Sequence, residues 1–261
     1  MIRLIALDID HTLVGADQCI APADLSAIHR CMDEGVEIVL ATGRTRPTTE
    51  PIIEQVGRPV AAICNTGGIT YDEAGNILQR LTLPLELAKE MLRRMQEDGV
   101  WFRVDVGEQT YVPEPPAEWF SSRWPVVHPD VASILDTPPD QLLVFGREAC
   151  RWVLREFSYL AGDVQLLVLP SFDEPDVIHI LHPRATKGAA LADYCRRRGV
   201  ARAEVAAFGD SLNDLTMLSF AGFSVAVADS DPRLHVVADK VMKPGETLAD
   251  VLLQLMEMRP R

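Results

Sequence analysis

Short apolar runs alternate with helical patterns at both ends of this chain, and this alternation limits the possible folds more than any other feature. In the N-terminal third, the patterns predict strands at Ile2–Leu7, Val36–Ala41 and Val60–Cys64, and helices at Pro22–Glu34 and Pro47–Val56. Strands separated by helices of this length form parallel sheets with right-handed crossovers. The strands are apolar almost throughout, which is typical of strands covered on both faces. The sequence therefore predicts an α/β fold with a doubly wound, Rossmann-like parallel-sheet core.

The C-terminal third resumes this alternation after a middle segment of different texture. Its predicted helices and strands are Thr186–Arg198, Glu204–Phe208, Leu212–Phe220, Phe223–Val227, Asp231–Val237, Lys240–Met242 and Thr247–Met258. The middle segment mixes helical patterns, apparent strands and a proline-rich stretch, and it carries most of the net negative charge. We therefore predict a core formed by residues 1–82 and 184–261, interrupted by an inserted α+β cap domain at residues 83–183.

Charge and cysteine content exclude several classes of function. The 261 residues include 25 Lys and Arg against 38 Asp and Glu, a formal net charge of −13. Such a surface repels phosphate backbones and anionic lipid, so we expect no nucleic-acid partner and no membrane partner. The five cysteines are widely spaced and include no Cys-x-x-Cys, which argues against a disulfide framework or a zinc site. No apolar run approaches the ~18 residues of a membrane span. We expect a cytoplasmic protein that is a monomer or a weak homodimer.

Two aspartates directly follow the first predicted strand, in the segment Asp-Ile-Asp-His-Thr-Leu at residues 8–13. Ligands of doubly wound sheets bind beyond the carboxyl ends of the strands. Side chains two residues apart leave a strand on the same face, so Asp8 and Asp10 can reach one site. One carboxylate could then act as a nucleophile or metal ligand and the other as a proton donor. The alternative is a capped strand-to-helix turn, which Asp and Thr also favour.

Weaker signals follow the second strand and begin a later helix. Thr42-Gly43-Arg44 offers a hydroxyl and exposed backbone N–H groups, which suit an oxyanion or phosphate, although an ordinary loop has the same composition. Arg44 either orients an acidic residue or is solvated. Lys187 stands at a helix start, where the helix dipole disfavours a cation, and this position suggests an anionic partner. The alternative for Lys187 is a solvated surface lysine.

The strongest signal is a group of oxygen-bearing side chains where a late strand turns into a helix. Gly209 permits a sharp turn, Asp210 leaves the strand end, and Asn213 and Asp214 lie in the first helical turn. Hard oxygen ligands in this number suit Mg²⁺, which binds one or two carboxylates together with waters and substrate phosphate. An N-capped helix is the alternative, but it explains only one of the acidic residues.

In this order, the four segments resemble the motifs of the haloacid dehalogenase-like (HAD) hydrolase superfamily. Asp8-x-Asp10-x-Thr12 is similar to its first motif, Thr42-Gly43-Arg44 to its second, Lys187 to its third and Gly209-Asp210-x-x-Asn213-Asp214 to its fourth. The insert between the second and third motifs resembles the large α/β cap of the Cof-type phosphatase branch. The resemblance covers essentially the whole chain.

The resemblance implies a role for each motif residue. Asp8 would attack phosphorus and form an aspartyl-phosphate, and Asp10 would protonate the leaving group and then activate water. Mg²⁺ would be held by Asp8, Asp10 through its backbone carbonyl, and Asp210, with Asp214 ligating directly or through a water. The residues expected to bind phosphoryl oxygens are Ile9, Thr42, Gly43, Lys187 and Asn213. Aromatic and basic residues of the insert are candidates for substrate contact, with packing or a solvated surface as the alternative for each: Trp101, Arg103, Trp119, Arg123, Trp124 and His179.

Three departures from the family pattern leave these residues in place. His11 stands where the family usually has glycine, as a tolerated substitution or as a residue that contacts the leaving group or handles protons. Asn-Thr-Gly-Gly at residues 65–68 replaces the usual Asn-Gly-Ala, and Ala-Asp-Ser-Asp at residues 228–231 replaces Gly-Asn-Ala.

The function predicted from the sequence is a Mg²⁺-dependent phosphatase acting on a small phosphorylated metabolite such as a sugar phosphate. A phosphomutase or phosphotransferase would use the same aspartate pair. A catalytically idle module that binds a phosphorylated ligand is a third reading, although the intact motif residues argue against it.

Overall fold

A computed structural model describes residues 1–114, 125–169 and 176–257 of the chain. Its strands, numbered in chain order, are β1 (Leu4–Leu7), β2 (Glu37–Ala41), β3 (Ala61–Cys64), β4 (Ile69–Tyr71), β5 (Ile77–Arg80), β6 (Phe102–Val106), β7 (Gln109–Val112), β8 (Val126–Val127), β9 (Gln141–Phe145), β10 (Gln165–Leu169), β11 (Val177–Leu181), β12 (Val205–Gly209), β13 (Phe223–Ala226) and β14 (Lys240–Val241). Its α-helices are α1 (Pro22–Asp33), α2 (Arg46–Val56), α3 (Leu85–Glu97), α4 (Val131–Ile134), α5 (Arg147–Phe157), α6 (Lys187–Arg198), α7 (Leu215–Phe220) and α8 (Leu248–Glu257).

The chain forms two compact units. The core unit comprises Met1–Arg44, Thr49–Gln79 and Thr186–Arg261, and the inserted unit comprises Thr45–Thr48 and Arg80–Ala185. Apart from the short segment 45–48, the inserted unit is one continuous stretch between two halves of the core. Assigning catalysis to the core at 1–82 and 184–261, and substrate selection to a cap at 83–183, stays a prediction.

The core unit is built on an eight-stranded sheet in the order β14-β13-β12-β1-β2-β3-β4-β5. The first six strands of this order are parallel, and β4 pairs with β3 antiparallel. The chain runs outward from β1 through β2 to β3, and after the insertion it returns to β12 on the other side of β1. The direction of winding therefore reverses between β1 and β12, where doubly wound folds bind their ligands.

Apolar side chains cover both faces of this sheet. Ile5 and Leu7 of β1 point into a cluster with Ile28 of α1 and Leu252 of α8. Leu4 and Ala6, the alternate residues of β1, point into a second cluster that includes Leu191 of α6 and Met217 of α7. Successive strand residues alternate between the two faces. Burial on both faces explains why the parallel strands are apolar throughout.

The inserted unit has its own sheet and its own hydrophobic core. The sheet has the order β10-β11-β9-β6-β7-β8 and is antiparallel except for the β7–β8 pair. Met91 of α3 and Val153 of α5 pack with Phe102 and Val144 on one face of it. Asp140, fully buried, accepts hydrogen bonds from Arg80 Nε at 2.7 Å and Nη2 at 3.0 Å, so a buried charge is paired within the unit.

The fold class predicted from the sequence is confirmed, and the differences are local. The segment Leu212–Phe220 begins with a 3-10 turn at Leu212–Asp214 before α7, and Pro232–Val236 is also a 3-10 turn. The sequence patterns missed the short elements β4, β5, β8 and α4. Met258, at the end of the last predicted helix, lies outside the described residues.

Candidate active site

The first two aspartates of the site lie at the carboxyl ends of neighbouring strands. Asp8 directly follows β1 and Asp210 directly follows β12, and the two strands pair in parallel register. The backbone N–H of Asp8 donates to the carbonyl of Phe208 at 3.1 Å, so the pairing continues to the strand ends. One carboxylate oxygen from each of Asp8, Asp210 and Asp214 lies within 4.8 Å of the other two. Aspartates from the two ends of the chain therefore lie close together.

Lys187 joins this acidic cluster through two ion pairs. Its Nζ lies 2.6 Å from Asp8 Oδ1 and 2.7 Å from Asp214 Oδ1, and the side chain is 0% exposed. Thr186 caps α6 by accepting a hydrogen bond from the Ala189 N–H at 3.1 Å, which makes Lys187 the first helical residue. The anionic partner suggested by the position of this lysine thus includes two internal carboxylates, and the solvated-lysine alternative is wrong.

Asp214 is held on both of its carboxylate oxygens. Its Oδ2 accepts from the backbone N–H groups of Asp210 and Ser211, both at 3.1 Å, while Oδ1 faces Lys187. A Cβ atom on Gly209 would lie 2.5 Å from the Asp214 side chain, so only glycine allows the strand end to approach this closely. Asp214 therefore both positions Lys187 and closes the turn that follows β12.

Two further glycines fix the start of α6 beside the cluster. Gly188 donates its N–H to Thr216 Oγ1 at 3.1 Å, and a Cβ there would overlap the Thr216 carbonyl. Gly67 has a φ of +96°, and a Cβ there would overlap the Thr186 carbonyl. These contacts hold the backbone on either side of Lys187 against two other elements.

Burial makes the acidic cluster costly to ionise. The pKa of Asp8 is raised from 3.8 to about 7, chiefly by burial and further by the charge of Asp210, although Lys187 acts in the opposite direction. Burial, and to a smaller extent the charge of Asp214, raises the pKa of Asp210 to about 6. Burial, and to a smaller extent the charge of Asp8, raises the pKa of Asp214 to about 6. Although burial by itself would lower it, the carboxylates of Asp214 and Asp8 raise the pKa of Lys187, which therefore stays charged.

The cluster fits a divalent cation in both charge and donor type. Asp8 and Asp214 pair with Lys187, and Asp210 adds a third carboxylate, so the ionised cluster carries an excess of negative charge in a largely buried position. Carboxylate oxygens are the donors that Mg²⁺ prefers. One oxygen from each of Asp8, Asp210 and Asp214 lies within 4.8 Å of the other two, so the three carboxylates are close enough to share one cation.

Asp10, by contrast, points to an arginine. Arg44 Nε donates to Asp10 Oδ2 at 2.9 Å, and Arg44 Nη2 contacts both Asp10 Oδ1 and Gln18 Oε1. Although partial burial acts to raise it, the hydrogen bonds from Arg44 hold the pKa of Asp10 below its ordinary value. Of the two alternatives for Arg44, the orienting one is therefore correct. No sequence pattern pointed to Gln18, which lies in an exposed loop 26 residues before Arg44.

The residues expected to bind phosphoryl oxygens are placed differently from one another. Thr42 is buried, and its Oγ1 accepts the Arg44 N–H at 3.1 Å. Gly43, partly exposed, lies between them. Asn213 Oδ1 accepts from Ser211 Oγ at 2.7 Å. The side chain of Ile9 is buried in the apolar core, which leaves only its backbone for contact with a ligand.

The three departures from the family pattern have structural counterparts. His11 has a φ of +60°, in the left-handed region where glycine is favoured, and its side chain is exposed. Asn65 and Thr66 also have positive φ, and the buried Asn65 amide has no hydrogen-bond partner among the described residues. The Asp231 carboxylate accepts two hydrogen bonds from the guanidinium of Arg233, at 2.9 and 2.6 Å, so its charge is neutralised locally.

The candidate substrate contacts of the inserted unit are described in part. The ring of Trp101 packs against Phe145 with centroids 5.7 Å apart, Arg103 Nε pairs with Asp105 at 2.9 Å, and His179 is buried on β11. Each contact agrees with the packing alternative and tests no role in substrate binding. The remaining candidates, Trp119, Arg123 and Trp124, lie outside the described residues.

Comparison with known proteins defines the class. The family model of the haloacid dehalogenase-like hydrolases matches residues 5–251, so the chain belongs to this family. The chain is 25% identical to pyridoxal phosphate phosphatase YbhA of Escherichia coli (strain K12), covering 97% of this chain and 96% of that protein. It is 28% identical to the HMP-PP phosphatase of Serratia proteamaculans (strain 568), covering 94% and 90%.

A solved structure gives the same result for the fold. The HAD subclass IIB sugar phosphatase BT4131 superposes with a TM-score of 0.82 at 20% identity, covering 97% of this chain and 99% of that one. The resemblance to the HAD superfamily and its Cof-type branch is confirmed, and the chain is a phosphatase of this family. Among the described residues, no helix is both long enough and apolar enough to cross a bilayer.

Proposed function

We propose that this phosphatase is Mg²⁺-dependent and hydrolyses a small phosphorylated metabolite, such as a sugar phosphate, through an aspartyl-phosphate on Asp8. The observation that carries the proposal is the convergence of Asp8, Asp210 and Asp214, two of which, Asp8 and Asp214, pair with the buried Lys187. A nucleophile, a cation site and a fixed positive charge lie together at the winding reversal of the sheet. The similar proteins include a pyridoxal phosphate phosphatase and a sugar phosphatase, which supports a small phosphorylated substrate.

In this proposal Asp8 is the nucleophile. An Asp8 oxygen forms a bond to phosphorus while the ester P–O bond breaks in line with it. Attack requires the ionised carboxylate, and the neighbouring Lys187 favours that form even though burial opposes it. Because Lys187 is fixed by Asp214, its ammonium group also lies beside any phosphoryl oxygen that approaches Asp8.

Asp10 transfers the protons. It donates one to the leaving alkoxide and later accepts one from the water that cleaves the aspartyl-phosphate, which releases inorganic phosphate and regenerates Asp8. Its hydrogen bonds to Arg44 favour the ionised form, which suits the second of these steps. The phosphoryl oxygens are bound by the Thr42 hydroxyl, the backbone at Ile9 and Gly43, Lys187 and Asn213.

Asp8, Asp210 and the backbone carbonyl of Asp10 would hold Mg²⁺. When bound, the ion offsets the repulsion between the acidic cluster and a phosphate dianion and polarises a phosphoryl oxygen. Both Asp214 oxygens already accept hydrogen bonds, so we assign Asp214 to positioning Lys187, with any contact to the ion made through a water. We also propose that the inserted unit selects the substrate.

The test is turnover of 4-nitrophenyl phosphate by wild type and by Asp8→Asn, with and without Mg²⁺. Asp163→Asn, at an exposed aspartate, is the matched control. We expect wild type and the control to need Mg²⁺ and Asp8→Asn to lose about a thousandfold or more in kcat, because the covalent route is removed. Activity of Asp8→Asn within about tenfold of wild type would exclude the nucleophile assignment.

A second measurement addresses the reaction type and the substrate. Phosphorylated metabolites are supplied one at a time with an added sugar, and both inorganic phosphate and newly phosphorylated sugar are measured. Release of inorganic phosphate supports hydrolysis, whereas transfer to the added sugar hydroxyl indicates a phosphotransferase.

A further inference from the structure

Gln18 lies in an exposed loop that no motif covers, yet its side chain reaches the site. Its Oε1 accepts a hydrogen bond from Arg44 Nη2, the same nitrogen that contacts Asp10. A guanidinium Nη carries two hydrogens, so one can serve each acceptor. With Arg44 Nε also bound to Asp10 at 2.9 Å, the plane of the guanidinium is fixed from two sides.

The backbone at Gln18 is itself held in place. Its φ of +58° lies in the left-handed region, which is unfavourable for a residue with a side chain. Gln55 of α2 donates from Nε2 to the Gln18 carbonyl at 2.9 Å and accepts the Ile20 N–H on Oε1 at 2.9 Å. Gln18 Nε2 donates to the Gly15 carbonyl at 3.3 Å. The loop thus keeps a strained conformation that directs the Gln18 amide oxygen to Arg44.

We infer that Gln18 is a positioning residue: together with Arg44 it fixes the direction of the Asp10 carboxylate. The Asp10 side chain is 44% exposed, and without this support its carboxylate is free to rotate in solvent. Proton transfer requires the carboxylate to lie within hydrogen-bond reach of the leaving oxygen or the attacking water. The expected effect of Gln18 on catalysis rests on the proposed function, whereas the positioning of the Arg44 guanidinium by Gln18 does not.

The test compares two replacements of similar size. Gln18→Met keeps the length of the side chain but removes the acceptor, and Gln18→Glu keeps an acceptor at the same reach. Gln254→Met, at an exposed position of α8, is the control. We expect Gln18→Met to lower kcat for 4-nitrophenyl phosphate by about tenfold, with KM unchanged, because a hydrogen bond to a charged group is lost. Gln18→Glu and the control should stay within about threefold of wild type.

A double-mutant cycle shows whether Gln18 acts through Asp10. In an Asp10→Asn background, Gln18→Met should cause no further loss, because the group that it positions is already disabled. Losses that multiply, a rise in KM instead of a fall in kcat, or wild-type activity of Gln18→Met would each overturn the inference.

Solvent exchange of the Arg44 Nε–H, followed by NMR, provides a readout that does not depend on activity. We expect faster exchange in Gln18→Met than in wild type and in Gln18→Glu. If wild type hydrolysed no phosphate ester, the proposed function would fail. An unchanged exchange rate of the Arg44 Nε–H in Gln18→Met would separately show that Gln18 does not position Arg44.

Discussion

The stability of the cation-free protein should fall as the pH rises from 5 to 8. The folded-state pKa values of Asp8, Asp210 and Asp214 are raised, to about 7 for Asp8 and about 6 for the other two. Between pH 3.8 and these values the folded state binds protons that the unfolded state has already released. Such groups contribute stability that is complete at low pH and is lost as the pH passes through the folded-state pKa.

The size of this loss follows from the Asp8 carboxyl. Each pKa unit corresponds to about 1.4 kcal/mol, and the interval from pH 5 to a pKa of about 7 spans two units. Asp8 alone therefore accounts for a loss of about 3 kcal/mol over this range. Asp10 does not offset it, because its lowered pKa changes stability only below about pH 4.

The assay is urea unfolding in EDTA at pH 5, 6, 7 and 8 for wild type and Asp8→Asn. The free energy of unfolding should fall more steeply with pH for wild type than for Asp8→Asn. Comparing the two proteins cancels most of the contribution of titrating groups outside the cluster. Added Mg²⁺ should stabilise wild type more at pH 8 than at pH 5, because protons compete with the cation for the carboxylates. If the free energy of unfolding changed with pH in the same way for both proteins in EDTA, the pH dependence could not be attributed to the Asp8 carboxyl.

Two further predictions concern Lys187 and its neighbour. Lys187→Met should lower the free energy of unfolding by about 3–5 kcal/mol at pH 8 and by less at pH 5, because it leaves buried carboxylates unpaired. Urea unfolding checks this, with Lys243→Met at an exposed position as the control. Equal losses in the two variants would contradict the prediction. Gly188→Ala should destabilise by about 1–3 kcal/mol, since its Cβ overlaps the Thr216 carbonyl. Gly162→Ala, where a Cβ meets open space, should stay within about 0.5 kcal/mol, and similar melting temperatures for the two glycine variants would refute the steric argument.

The core fold was predictable because each of its elements carries its own signal. Parallel strands such as β1 are buried on both faces and are therefore apolar throughout, and the helices between them end at glycines such as Gly35 and Gly199. The edge formed by β4 and β5 was missed, because no α-helix separates these strands from β3 and the alternation of strand and helix stops there.

The site was predictable as far as the backbone places it. Asp8, Thr42 and Asp210 each follow a strand that belongs to one parallel sheet, so topology alone brings them to one edge. Side-chain partners are a different matter, since they depend on contacts between segments far apart in the sequence. The pairing of Lys187 with Asp8 spans 179 residues, and the contact of Gln18 with Arg44 depends on a left-handed residue in a loop.

Backbone shape and charge are coupled in this site. Gly67, Gly188 and Gly209 lie where a Cβ would overlap a neighbouring carbonyl or carboxyl, and all three border the elements that carry Lys187 and Asp214. A buried lysine stabilises buried carboxylates only when hydrogen-bond geometry is good, so the backbones must approach more closely than side chains allow. His11 shows the complementary case: its φ of +60° favours glycine, but its exposed side chain meets no such barrier. Glycine is therefore required where a contact excludes Cβ, whereas at a position that only needs positive φ another residue is accepted at a modest energetic cost.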